Sequence, residues 1–161
     1  MTGLLNKTAM QEEVEHYLSK SDYGAIHAMM MIDTDNFKNV NDNLGHDYGD
    51  KVIKFVASTI KDIFRETDYV GRMGGDEFMV FMKNTTKKIT EERAERLNDR
   101  IRKVFVEKGK TVGISCSIGI AYYAKDGSDY ATLFKAADKA LYEAKEAGKD
   151  CYRTFNKEIN K

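Results

Sequence analysis

The chain has no proline in its 161 residues. Turns must therefore come from glycine, asparagine and aspartate, and proline-rich linkers are excluded. Cysteine is scarce: Cys116 and Cys151 are the only two and have no metal-type spacing. A disulfide framework is not expected, and a reducing cytoplasm fits. Neither sign of charge is in excess, since 26 Lys and Arg balance 26 Asp and Glu. No global field draws nucleic acid or an acidic membrane, so any phosphate site must be local. No apolar run approaches the ~18 residues of a membrane span, and the N-terminus does not resemble a signal peptide. Repeats and low-complexity tracts are also missing. The length suits one domain with a proper core.

What is present centres on Tyr69 to Phe78, Tyr-Val-Gly-Arg-Met-Gly-Gly-Asp-Glu-Phe. Gly74-Gly75 between two apolar runs is a hairpin signal, because central turn residues need positive φ. Asp76 and Glu77 follow at once, so two carboxylates stand at the tip of an apolar hairpin. By itself this is compatible with a solvated turn. A second acidic turn argues against that: the apolar run Ala25 to Ile32 reads as a buried central strand and stops at Asp33-Thr34-Asp35. Two strands could bring Asp33 and Asp76 side by side. Carboxylates that close repel unless a proton or cation lies between them. Oxygen ligands of this type suit Mg²⁺, which uses one or two carboxylates plus substrate phosphates.

Elsewhere, periodicity predicts a first helix over Thr8 to Leu18, N-capped by Thr8 with Gln11 completing a capping box. A short helix over Phe37 to Leu44 ends at Gly45. An amphipathic helix between Gly49 and Phe64 carries Asp50 in its first turn. Thr90 is expected to N-cap the next helix, whose inner face is Ala94, Leu97, Ile101, Val104 and Phe105. A turn at Lys108 to Lys110, a strand from Val112 to Ala121, a helix from Tyr130 to Ala147 and an edge strand from Cys151 to Phe155 complete the chain. Helices alternate with strands around one hairpin, which implies an α/β fold with a mixed central sheet flanked by helices.

Gly74-Gly75-Asp76-Glu77-Phe78 matches the signature of the GGDEF domain, the diguanylate cyclase catalytic domain. The resemblance extends through Thr2 to Lys7, Asp33 to Lys38 with Asn41-Asp42, Gly45-His46 and Gly49-Asp50, then Ser117 to Ala121, and Ala137 to Tyr142 with Ala144-Lys145 and Gly148-Lys149. It covers nearly the whole chain and implies a ferredoxin-like βαββαβ core, similar to nucleotidyl cyclase and polymerase palm domains. It also implies a single catalytic module, residues 1–161, cut from a longer protein and working in the cytoplasm or as the cytoplasmic part of a membrane-bound sensor.

The resemblance assigns roles by position. Asp33, Asp76 and the Thr34 carbonyl would hold two Mg²⁺ or Mn²⁺ ions per GTP. Glu77 would add a metal contact or help activate the 3′-hydroxyl. Phe37 and Lys38, with Gly74 and Gly75, would meet the phosphates, and Lys38 would stabilise the transition state. Lys145 and Lys149, four apart and read as one helical face, would grip the outer phosphates. Asn41 and Asp50 would read guanine, although helix-dipole compensation also accounts for Asp50. His46 is either near the nucleotide or structural. Arg65 and Asp68, with Arg96 as partner, resemble an inhibitory site for the product cyclic di-GMP.

The implied reaction joins two GTP across a two-fold homodimer, releasing two pyrophosphates. A non-catalytic sensor of GTP or cyclic di-GMP is the alternative from another class, and a cyclase that also accepts ATP is a third. Asn39 to Asp50 spans twelve residues like a calcium loop. Its glycine is at the seventh position and its last residue is Asp, so the EF-hand template fails.

Overall fold

A computed structural model describes residues 3–22 and 24–157. Thr2 of the opening motif and Tyr23 of the turn before the first strand lie outside them. In chain order the elements are α1 (Lys7–Ser19), β1 (Ala28–Asp35), α2 (Phe37–Leu44), α3 (His46–Ile63), β2 (Tyr69–Gly74), β3 (Glu77–Met82), α4 (Lys87–Ile101), β4 (Lys103–Glu107), β5 (Lys110–Tyr122), α5 (Tyr130–Glu146) and β6 (Cys151–Thr154).

The sheet runs β2-β3-β1-β5-β4, with β6 also paired to β5. β1 lies at the centre, antiparallel to β3 and to β5. This order places the first and third strands of the βαββαβ unit in the middle. β6 runs parallel to β5, which makes the sheet mixed.

Strand alternation then divides the core into two layers. Met30 and Ile32 of β1 face Val52, Val56 and Ile60 of α3 and Leu97 of α4. Met29 and Met31 face Met10 and Val14 of α1 and Leu133 and Ala137 of α5. Helices thus cover both faces, and β1, buried on both, reads as a continuous apolar run. Gly119 lets α5 lie directly on β5: a Cβ there would stand 2.1 Å from the Ala137 carbonyl oxygen. Among the described residues no helix is long and apolar enough to cross a membrane.

Several boundaries differ from the sequence reading. Asn6, in extended conformation, caps α1 by accepting from the Ala9 amide at 2.8 Å, so Thr8 falls inside the first turn. Helix α3 begins at His46, directly after Gly45, whose φ of 90° breaks it from α2. Asp47 therefore occupies the first turn and Asp50 sits further in, which weakens the dipole account of Asp50.

Thr86, not Thr90, caps α4 by accepting from the Ile89 amide at 3.1 Å. Thr90 is buried one turn in and donates to the Thr86 carbonyl. Val104 and Phe105 belong to β4 and not to α4. Arg102 is already extended, and Lys108 and Gly109 both take positive φ (50° and 79°) in a two-residue hairpin turn joining β4 to β5.

Candidate active site

β1 ends where the β2–β3 turn closes, and the pairing register sets Asp33 directly opposite Glu77. The turn is tighter than the glycine pair alone suggests: Gly74 pairs with Glu77, leaving Gly75 and Asp76 as the loop. Gly75 has φ 51°, a conformation costly for any residue with a Cβ. Arg72, which the sequence reading passed over, donates from Nε and Nη2 to the Gly75 carbonyl at 2.9 and 2.6 Å and braces the turn. The Asp76 carbonyl accepts from the Thr34 amide at 3.3 Å, stitching the loop to β1.

The Asp33 and Asp76 side chains meet. Burial, then the charge of Asp33 and a hydrogen bond to it, push the Asp76 carboxyl up to about 7. Two acids so placed need a shared proton or a cation. Lys145 of α5 supplies one cation through an ion pair between its Nζ and Asp33 Oδ2. Burial opposes its charge, but Asp33, with Glu77 and Asp76 behind it, outweighs burial and raises the Lys145 pKa. Glu77 is exposed beside the pair.

Among the described residues no three His, Cys, Asp or Glu side chains gather into a metal cage. The donor set is instead two crowded carboxylates on an accessible sheet end. That fits a hard cation completed by phosphate oxygens.

Asp35 behaves differently from Asp33. It is buried, and its carboxylate accepts from Ser117 Oγ at 2.7 Å, Ser115 Oγ at 2.6 Å and the Asp150 amide at 3.0 Å.

Asn36, at φ 66°, turns the chain into α2 without capping it by side chain, so Phe37 and Lys38 open a helix whose first amides are not taken by that side chain. Lys38 is exposed. Asn41 and Phe37 lean on Gly49, where a Cβ would come within 2.0 Å of Asn41 Oδ1. This close approach links Asn41 on α2 to the turn of α3 that carries Asp50. Asp50 and His46 are exposed, as are Gly74 and Gly75.

Lys149 is not on the helical face with Lys145. α5 ends at Glu146, and Lys149 and Asp150 follow with φ of 65° and 49°.

Asp68 is buried and committed within the chain. It accepts from the Arg65 amide and guanidinium and from the Lys83 amide, with Arg65 Nη2 at 2.9 Å. Arg65 and Asp68 line a cavity of ≈ 300 Å³ together with Leu4, Phe64 and Tyr69. Arg96 is exposed on α4.

Known proteins share this family signature and this fold. The family model described as "Diguanylate cyclase, GGDEF domain" matches residues 1–151. The chain belongs to the GGDEF domain family. It is 37% identical over 160 residues to the cyclic di-GMP phosphodiesterase PdeR of Escherichia coli, covering 99% of this chain and 24% of that protein. It is 37% identical over 153 residues to the diguanylate cyclase DgcP of Pseudomonas aeruginosa, covering 93% of this chain and 22% of that one. The chain thus spans about a quarter of the length of these relatives. Among solved structures, the GGDEF domain of YfiN (TpbB) from Pseudomonas aeruginosa superposes with a TM-score of 0.89 at 31% identity, over 97% of this chain and 99% of that one.

Proposed function

We propose that this domain is a diguanylate cyclase, condensing two GTP into cyclic di-GMP and two pyrophosphates. The observation that carries the reading is the convergence of Asp33 and Asp76 into one charge-crowded pair. Asp33, Asp76 and the Thr34 carbonyl would hold Mg²⁺ or Mn²⁺. When bound, such ions neutralise charge developing on the attacking and leaving oxygens.

The chain's own groups do the rest. Lys38 and the opening amides of α2 hold phosphate oxygens. Gly74 and Gly75 let phosphate lie close to the backbone. Lys145 exchanges Asp33 for an outer phosphate, and Lys149 adds a second positive charge. Asp50 accepts from guanine N1–H and N2–H₂, a donor pair adenine does not present, and Asn41 contacts the same base. Glu77 lies beside the acidic pair, placed to aid the 3′-hydroxyl.

Each 3′-hydroxyl gives up its proton to solvent, aided by Glu77, as its oxygen forms a bond to the α-phosphorus of the other GTP. The bond to the bridging oxygen breaks, and pyrophosphate leaves. One domain holds one GTP, so two domains face each other across a two-fold axis. Arg65, Asp68 and Arg96 form the proposed product site. Reading of a base by Asp68 requires its bonds to Arg65 to open.

Incubation with GTP and Mg²⁺ should yield cyclic di-GMP and pyrophosphate, at a rate rising faster than linearly with protein concentration. Absence of product at high concentration would overturn the reading. One observation favours a second: PdeR, as similar as DgcP, is named a phosphodiesterase, so a GGDEF segment serving as a non-catalytic sensor of GTP or cyclic di-GMP is the alternative. GTP binding without pyrophosphate release would select it.

A further inference from the structure

Lys145 poses a mechanical problem that rests on the function proposed above. Its Nζ pairs with Asp33, which ties the end of α5 to the end of β1. A lysine that must leave a carboxylate for a phosphate cannot also be the tie that keeps its helix in register. Asp35 makes a second tie that does not have to break. It lies two residues beyond Asp33 on the same face of β1. Its Oδ2 accepts from the Asp150 amide at 3.0 Å, across the turn that closes α5.

That turn is built around Lys145. The Gly148 amide donates to the Lys145 carbonyl at 3.2 Å, and the Lys149 amide to the Ala144 carbonyl at 3.1 Å. Lys149 and Asp150 then adopt positive φ in succession, a conformation that residues with side chains rarely take unless the surroundings impose it. The surroundings are visible. Asp35 holds the Asp150 amide from inside, and Arg102 holds the Asp150 carboxylate from outside, with Nε to Oδ2 at 2.6 Å and Nη2 to Oδ1 at 3.1 Å. Ser115 and Ser117 of β5 fix the Asp35 carboxylate so that it cannot turn away.

We infer that Asp35 is a positioning residue: through the Asp150 amide it holds the turn after α5 so that Lys145 and Lys149 are presented to the β- and γ-phosphates. Asp35 touches neither nucleotide nor cation. Its effect is confined to ligands that carry those outer phosphates.

The test compares binding of a non-hydrolysable GTP analogue and of GMP, both with Mg²⁺, to wild type and to Asp35→Asn. Removing a negative charge near a phosphate site should by itself tighten the triphosphate. The clamp requires the opposite: analogue affinity falls about tenfold, the scale of one charge-assisted contact, while GMP affinity stays within about twofold. Added to a Lys145→Ala/Lys149→Ala background, Asp35→Asn should cost no further analogue affinity. Unchanged or tighter analogue binding, or a parallel loss for both ligands, overturns the inference. Should Asp35→Asn fail to fold, Ser115→Ala loosens the same carboxylate and should give a smaller loss that is likewise confined to the analogue. A wild type that does not prefer the analogue to GMP would remove the phosphate-site reading and the clamp with it. A preserved preference in Asp35→Asn would remove the clamp alone.

Discussion

Asp33 and Asp35 stand two residues apart on one strand and face the same way, yet their surroundings are opposite. Asp35 has three donors. Asp33 has Asp76 against it and one cation, Lys145, in partial compensation. An acid whose lone pairs are filled by the fold contributes to the fold. An acid crowded by another acid costs stability and gains its use from what it can bind.

The largest expected difference between the two lies in activity. Asp76→Asn keeps the turn but halves the acidic pair, and turnover of GTP should fall by about 10³-fold or more, the scale of losing one charge-stabilising group. A loss below tenfold in a product assay would put the chemistry elsewhere.

Stability should separate the pair in the other direction. Asp35→Ala leaves the buried Ser117 hydroxyl and the Asp150 amide without their acceptor, which should cost about 2–4 kcal/mol. Asp33→Ala, which relieves crowding, should cost less than about 1 kcal/mol. Urea titration of both variants measures this, and equal losses would erase the contrast.

The smallest effect is the pH dependence of stability without divalent cations. The Asp76 carboxyl moves from 3.8 to about 7 on folding. Between those values the folded chain holds a proton that the unfolded chain has released. This group's contribution is therefore full below about pH 4 and fades as pH rises to about 7. Thermal denaturation should show Asp76→Asn gaining on wild type by about 2–4 °C between pH 5 and pH 8, what ~1 kcal/mol is worth in a chain of this length once solvent screening at this half-exposed carboxyl discounts the full shift. Parallel curves would mean that the two carboxyls do not share the crowding.

Much of this is legible in the sequence. Apolar periodicity located β1, α3 and α5, and glycine with adjacent acids located the turn, because both signals are local. The caps slipped by a few residues because Asn6 and Thr86 compete with Thr8 and Thr90, and only backbone geometry chooses between them. Val104 and Phe105 fitted a helical stripe, but pairing with β5 overrode that periodicity. The face shared by Lys145 and Lys149 was an extrapolation of helix past its real end.

The sequence by itself determined which residues are acids, where strands and turns carry them, and which family they match. Only the tertiary structure decided that Asp33 would be crowded and Asp35 satisfied. The partners of Asp35 come from 80, 82 and 115 residues away. Charge and hydrogen bonding depend on distance in space, and folding alone sets those distances.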